Sequence, residues 1–296
     1  MSTQKISPCL WFNNQGEDAA KFYTSLFKNS KLGTVTRYSE EVSKAAGMPV
    51  GSVLTVEFSI ENFEIMALNG GTMFKFNPSF SFFVYCESEE EITSLWSKLI
   101  KDGEVRMRLD KYPWAKKYGF AADRFGVNWQ LILNNSTSVT QKVVPSMLFV
   151  RENYGRGNEA IEFYTSVFKN SKIDTMTKDE KTGNVMHCVF QLEGVKIILM
   201  EGAGDEHKFK FNEAFSQMIC CETQEEIDYY WNELKAGGGT ESYCGWLKDK
   251  FGVSWQVAPA RMYEWAKNPT KHNKMMSAMM TMKKLDLQKL ETAYNT

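Results

Sequence analysis

The sequence predicts an α+β protein made of two copies of one domain, each copy built from two βαβββ units, with a helical tail behind them. Three observations carry that prediction. The chain has 296 residues, room for two domains that each close a core. FYTSLFKNSKL at 22–32 returns as FYTSVFKNSKI at 163–173, with nine of eleven positions identical. Within each copy a strand, a helix and a run of strands appear, and then the same order starts again.

The repeat extends well beyond that segment. FKFN recurs at 74–77 and 209–212, CESEEEI at Cys86 answers CETQEEI at Cys221, and YGFAADRFGVNWQL at 118–131 answers CGWLKDKFGVSWQV at 244–257. The offset drifts between these pairs, as loop insertions make it do. The boundaries that follow are a first domain over 1–134, a polar linker over 135–142, a second domain over 143–259 and a tail over 260–296.

Each element has a local reason. SPCLWF reads as a short strand with proline at its start. QGEDAAKFYTSLF reads as a helix, because Ala19, Phe22, Tyr23 and Leu26 or Phe27 share one face at helical spacing. LGTVTRYS, SVLTVEFSI and FEIMALN read as strands, the last two joined by a turn at Glu61 and Asn62. After FKFNP the pattern restarts with the strand SFSFFVYC and the helix SEEEITSLWSKLIKDG, where Ser88 is an N-cap, Glu91 stands three residues on, and Gly103 ends the helix. EVRMRL, YGFAA and VNWQLIL complete the copy, with a turn around Asp123 and Gly126.

Composition narrows the function classes. With 35 basic and 36 acidic residues, no net field exists to attract nucleic acid or an anionic membrane. No apolar run approaches the roughly 20 residues that span a bilayer, and MSTQKISPCLWF lacks the features of a signal peptide, so a cytoplasmic protein is expected. Six cysteines without a CxxC pair make neither a disulfide framework nor a zinc motif, and most of them read as small core residues.

Paired βαβββ units, a helix ending in FY, and a closing D-x-F-G-V-x-W-Q turn and strand resemble the glyoxalase and bleomycin-resistance superfamily, the vicinal oxygen chelate proteins. FYTSLF, FKFN, CETQEEIDYYW, CGWLKDKFGVSWQ and the C-terminal NPTKHNKMMSAMMTMKKLDLQKLETAY place the resemblance more narrowly in the PhnB-like family. It implies tandem glyoxalase-like domains, each a curved, cup-shaped mixed sheet around a ligand cavity. Relatives of this kind often carry the label demethylubiquinone methyltransferase. The residues give that label little support, because no G-x-G-x-x-G turn opens a helix here to hold a nucleoside cofactor.

Catalytic members of the superfamily hold a divalent metal from the first, fifth and last strands of a domain. Counting from the FY motif puts Pro8, Ser81 and Gln130 at those positions in the first copy and Pro145, Ser216 and Gln256 in the second. Proline has no donor, and serine and glutamine are neutral, so no metal is expected at either set. A divalent metal stays open in the second domain, where His187 on VMHCVFQL and Glu201 at the end of VKIILME are the catalytic candidates, and at a boundary between subunits or halves, where the superfamily also builds sites. The alternative is a partly buried His187 and a Glu201 that begins a solvated loop. His207 and His272 read as solvent-facing.

Side chains of the same parity as those positions should line the cups. They are Pro8, Leu10, Phe12, Ser81, Phe83, Tyr85, Asn128, Gln130 and Ile132, then Pro145, Met147, Phe149, Ser216, Met218, Cys220, Ser254, Gln256 and Ala258. Such a lining is mainly apolar with a few converging polar groups, which suits a small molecule. Trp129 and Trp255 have the opposite parity and should lie in the core. Lys75 and Lys210 sit in the FKFN loops, either solvated or gripping an anion.

In the tail, PARMYEWAKNP reads as a short helix stopped before Pro269. Met275, Met276, Met279 and Met282 then form a stripe that the other half or a second chain must cover. Three functions follow: a metal-free binding module for an apolar small molecule, a divergent metal-dependent lyase, isomerase or dioxygenase, or a partner-binding protein. The partners expected are a small molecule, no nucleic acid and no membrane, with a homodimer through sheet edges or the C-terminal helix left open.

Overall fold

The computed structural model describes residues 4–134, 140–204 and 206–296, so part of the expected linker, 135–139, lies outside the described residues. The first copy runs β1 (Ile6–Phe12), α1 (Gly16–Leu26), β2 (Lys31–Arg37), α2 (Glu40–Ala46), β3 (Val53–Ile60), β4 (Phe63–Asn69), β5 (Phe80–Cys86), α3 (Glu89–Leu99), β6 (Glu104–Tyr112), β7 (Ala115–Ala122) and β8 (Asn128–Leu133). The second runs β9 (Val143–Phe149), α4 (Gly157–Val167), β10 (Ser171–Lys178), β11 (Val185–Leu192), β12 (Val195–Glu201), β13 (Phe215–Cys221), α5 (Gln224–Lys235), β14 (Thr240–Glu241), β15 (Trp246–Lys248) and β16 (Ser254–Pro259). The tail holds α6 (Met262–Trp265), α7 (Pro269–Met279) and α8 (Leu287–Asn295). Among the described residues no helix is long and apolar enough to cross a membrane.

The α+β class, the two eight-stranded mixed sheets and the C-terminal helices are as expected, but the two units of one copy do not share a sheet. Sheet I has the order β14-β15-β16-β13-β1-β4-β3-β2 and sheet II the order β10-β11-β12-β9-β5-β8-β7-β6. Each sheet therefore joins the first unit of one copy to the second unit of the other, through the antiparallel pairs β1 with β13 and β5 with β9. The two FKFN loops are the crossovers, and they hold each other. The Asn77 side-chain amide donates to the Lys210 carbonyl at 3.0 Å, and that of Asn212 to the Lys75 carbonyl at 2.9 Å. Beside them Phe80 and Phe215 stack with ring centroids 4.3 Å apart.

One continuous core lies between the sheets and α1, α3, α4 and α5, with Tyr23, Trp129, Tyr164 and Trp255 almost wholly buried in it. It also explains the two strongest sequence repeats together. Asp123 accepts hydrogen bonds from the Tyr23 hydroxyl at 2.7 Å, the Trp129 indole at 2.8 Å and the amides of Phe125 and Val127. Asp249 does the same with Tyr164, Trp255, Phe251 and Val253. The FY helix and the D-x-F-G-V-x-W strand are thus two sides of one buried lock. Phe22 lies at its rim, half-buried beneath the Arg124 guanidinium at 4.3 Å.

Local chemistry sets the ends of the elements as expected at most sites. Ser88 caps α3 by accepting from the Glu91 amide at 3.1 Å, and Glu61 and Asn62 take the positive φ of a tight turn. The short α2 was not foreseen, although Ser39 caps it and Gly47, at φ 68°, ends it in the left-handed region. The tail helix is broken rather than continuous, with 280–286 separating α7 from α8, and Pro269 begins α7 as well as closing off α6.

Candidate functional site

The face of each sheet turned from the core is a cup, and the two cups have different contents. On β1 the side chains of Leu10 and Phe12 enter the core, while Cys9 and Trp11 face the cup of sheet I. On β9, Met147 and Phe149 enter the core, and Val144 faces the cup of sheet II. The expected facing of Pro8, Leu10, Phe12, Pro145, Met147 and Phe149 is thus reversed. A one-residue error in a strand register exchanges the two faces completely. Cys9 and Ser146, not the prolines, stand opposite Ser216 and Ser81 on the neighbouring strands.

The unit exchange also regroups the polar triads. Sheet I brings Cys9 together with Ser216 and Gln256, whose amide donates to the Ser216 hydroxyl at 2.9 Å. In sheet II, Ser146 lies beside Ser81 and Gln130. The Gln130 amide donates to the Ser81 hydroxyl at 2.8 Å, and the Tyr118 hydroxyl donates to the Gln130 carbonyl. Each triad takes residues from both copies.

These groups do not fit a divalent metal. Burial pushes the Cys9 thiol up to about 11, so it stays protonated near neutral pH, whereas a metal needs the thiolate. The remaining donors are uncharged. Among the described residues no three His, Cys, Asp or Glu side chains gather in a way that could hold a metal ion.

His187 and Glu201 are not brought together. His187 faces the cup of sheet II with its ring edge-on to Phe83, centroids 5.9 Å apart, and burial lowers its pKa. Glu201 instead accepts from the amides of Gly155 at 2.5 Å, Gly157 at 3.1 Å and Val185 at 2.6 Å, so its carboxylate caps the start of α4. Asn69 is its counterpart in the first copy, accepting from the Gly16 amide at 2.8 Å. It does not begin a solvated loop.

Sheet I carries an opening. A cavity of about 220 Å³ lies between its cup face and the tail. The expected residues Met218, Cys220, Gln256 and Ala258 line its floor, and Ser216 lies under Gln256. Sequence reasoning missed its walls: Tyr38 just before α2 and Val42 on it, Glu57 and Met66 on β3 and β4, and Trp246 on β15. Its roof is Met276 and Met279 of α7, with Tyr263 of α6 and His272. His272 was expected in solvent and is buried, which lowers its pKa and leaves it neutral near pH 7. Ser254 is buried on the same face, its hydroxyl without a hydrogen-bond partner.

The roof is fastened at its far end. The Cys244 amide donates to the Met282 carbonyl at 2.7 Å, the Gly245 amide to the Lys283 carbonyl at 2.8 Å, and the Leu287 amide to the Gln224 side chain at 2.7 Å. Among the described residues, no such roof covers sheet II. Phe83, Tyr118, Val144 and Ile198 are buried in its cup, with Tyr85, Met107, Phe120 and Ile132 packed against them. Trp114 stacks on Tyr112 at the exposed rim.

Comparison with known proteins agrees with this architecture. Over 86% of this chain and 93% of the other, the fold matches that of glyoxalase I from Zea mays, with a TM-score of 0.56 and 13% identity. A putative 3-demethylubiquinone-9 3-methyltransferase, PhnB protein, from Bacillus cereus is 39% identical over 44% of this chain and its own full length, with a TM-score of 0.41. A protein from Staphylococcus aureus is 30% identical over 45% of this chain and 98% of its own, with a TM-score of 0.20. No curated protein matches the chain. The family described as 3-demethylubiquinone-9 3-methyltransferase matches twice, over residues 4–132 and 141–258, and the chain belongs to that PhnB-like family of the glyoxalase fold, in two copies.

Proposed function

We propose that the protein binds a small, largely apolar molecule in the cup of sheet I, beneath the methionine helix of its tail, without the metal triad of the catalytic superfamily members. The observation that carries this reading is the cavity of about 220 Å³, walled by Met66, Met218, Met276, Met279, Trp11 and Trp246, with Cys9 and Gln256 at its polar end. An engineered apolar cavity of about 150 Å³ already holds benzene, so this one has room for a ring with a short branch. Methionine suits such a wall, because an unbranched thioether side chain adapts its shape to the ligand.

Methyl transfer to a quinone has less support. The cavity is small for a quinone and a nucleoside methyl donor together, and no glycine-rich strand-to-helix turn stands beside it. A metal-dependent reaction through His187 and Glu201 also has less support, because the Glu201 carboxylate is committed to three backbone amides.

The test fills the cavity from its roof. Met276→Trp and Met279→Trp are expected to abolish the rise in unfolding temperature that small aromatic compounds give the unaltered protein, with the circular dichroism spectrum unchanged. Compounds that stabilise these variants as much as the unaltered protein would place the ligand elsewhere.

A further inference from the structure

The sheet I cavity has an uneven charge pattern. Among the described residues that line it, Glu57 is the one carboxylate, and none is a lysine or arginine. His272, the one histidine there, is kept neutral by burial. Glu57 stands on β3 opposite Met66 and is half-buried, in the wall between the cavity and an outer groove. Its carboxylate has no ion-pair partner among the described residues. It accepts hydrogen bonds from the Thr34 amide, at 3.4 Å, and the Thr34 side chain, while Lys267 in the outer groove pairs with Glu264 at 2.8 Å and attracts Glu57 only from a distance. Burial nevertheless holds the Glu57 carboxyl above its usual range, against the Thr34 hydrogen bonds and the Lys267 charge, and Glu64, also in that groove, adds to the rise. A half-buried carboxylate without a counter-ion is costly unless a cation arrives to share the site.

The rest of the wall suits that cation. The rings of Trp11, Tyr38, Trp246 and Tyr263 all border the cavity, and aromatic faces attract ammonium groups where water is excluded. The thioethers supply the polarisable apolar surface for the remainder of the molecule.

Resting on the reading that this cavity is the ligand site, we infer that its ligand is a lipophilic cation, a compact apolar body carrying an amine or quaternary ammonium group that pairs with Glu57. The cation lies against Glu57, and its apolar part extends under Met276 and Met279.

Three probes of similar size separate the outcomes: benzyltrimethylammonium, its neutral isostere neopentylbenzene, and the anion 3-phenylpropanoate, each titrated against tryptophan fluorescence and unfolding temperature. The cation is expected to bind about tenfold or more tighter than the neutral isostere, and the anion weakest. Glu57→Gln is expected to remove that preference while leaving the affinity for neopentylbenzene unchanged, which also shows that the variant is folded. If the neutral isostere or the anion binds as tightly as the cation, or if Glu57→Gln leaves the cation unaffected, the ligand class is wrong and the cavity remains the site. If none of the three changes either readout, the inference fails together with the reading of the cavity on which it rests.

Discussion

The two cups began as one repeated sequence and now differ in what fills them. At equivalent positions of β5 and β13, sheet II carries Phe83 and Tyr85 where sheet I carries Met218 and Cys220. The aromatic pair closes the cup from below with Tyr118 and Val144. The smaller pair leaves space, and that space is roofed by the tail. In sheet I a shortened floor leaves the space, and a separate element keeps solvent and other chains off the apolar surface it exposes. The tail exists once, and it goes to the cup that is not filled.

The harshest way to break this contrast is to remove residues 260–296. Trp265, Met275, Leu285 and Leu290 are buried against sheet I, and each is worth roughly 1.5–3 kcal/mol. Truncation is therefore expected to lower the unfolding temperature by about 10 °C or more and to create a strong binding site for a hydrophobic dye. A dye signal equal to that of the full chain would mean that sheet I does not depend on the tail.

The buried locks should respond alike in both copies. Asp249→Ala leaves the Tyr164 hydroxyl, the Trp255 indole and two amides without an acceptor, and about 3–5 kcal/mol of stability should be lost in denaturant titrations. Burial raises Asp249, like Asp123, from 3.8 to about 6. The folded protein thus holds this proton more tightly than the unfolded chain does. Its contribution to stability is complete below pH 3.8 and is lost as the pH rises through about 6. Asp249→Asn is expected to flatten that part of the pH profile, and an unchanged slope between pH 4 and 6 would show that the lock does not titrate there.

A smaller effect sharpens the contrast directly. Phe83→Met with Tyr85→Cys gives sheet II the floor of sheet I, and the pair should cost about 2–3 kcal/mol while opening a space that binds xenon or benzene. Loss of stability without such binding would show that a floor without a roof collapses. The smallest expected change lies in the core. Gln217, the counterpart of Phe82, is buried with neither side-chain atom hydrogen-bonded. Gln217→Met should stabilise the protein by about 1 kcal/mol, measured by denaturant unfolding, and a loss would mean that the amide has a partner such as a bound water.

Much of this was open to reading in the chain. The FY motif announced α1 and α4 through its spacing, Ser88 and Glu91 marked the start of α3, and the opposite parity of Trp129 and Trp255 sent both to the core, where they are. The methionine stripe was legible as a surface to be covered. The inward set on β1 and β9 was misread because the count from the FY motif landed on Pro8 and Pro145, one residue from Cys9 and Ser146, and strands with apolar residues on both faces give alternation too little contrast to correct it. Glu57, Tyr38 and Trp246 were missed as cavity walls because nothing local to β2, β3 or β15 reports which distant element will pack over them.

The sequence by itself determined the elements, their caps, the duplication and the family, because each of these rests on neighbours within a turn or a strand, or on the repetition of whole segments. Only the tertiary structure decided which units pair. Residues 6–12 meet 215–221 rather than 80–86 because the FKFN loops carry each copy across into the sheet of the other and lock there through Asn77 and Asn212. That choice, made by contacts more than a hundred residues apart in the chain, set Cys9 beside Gln256 and gave the methionine tail a cup to close.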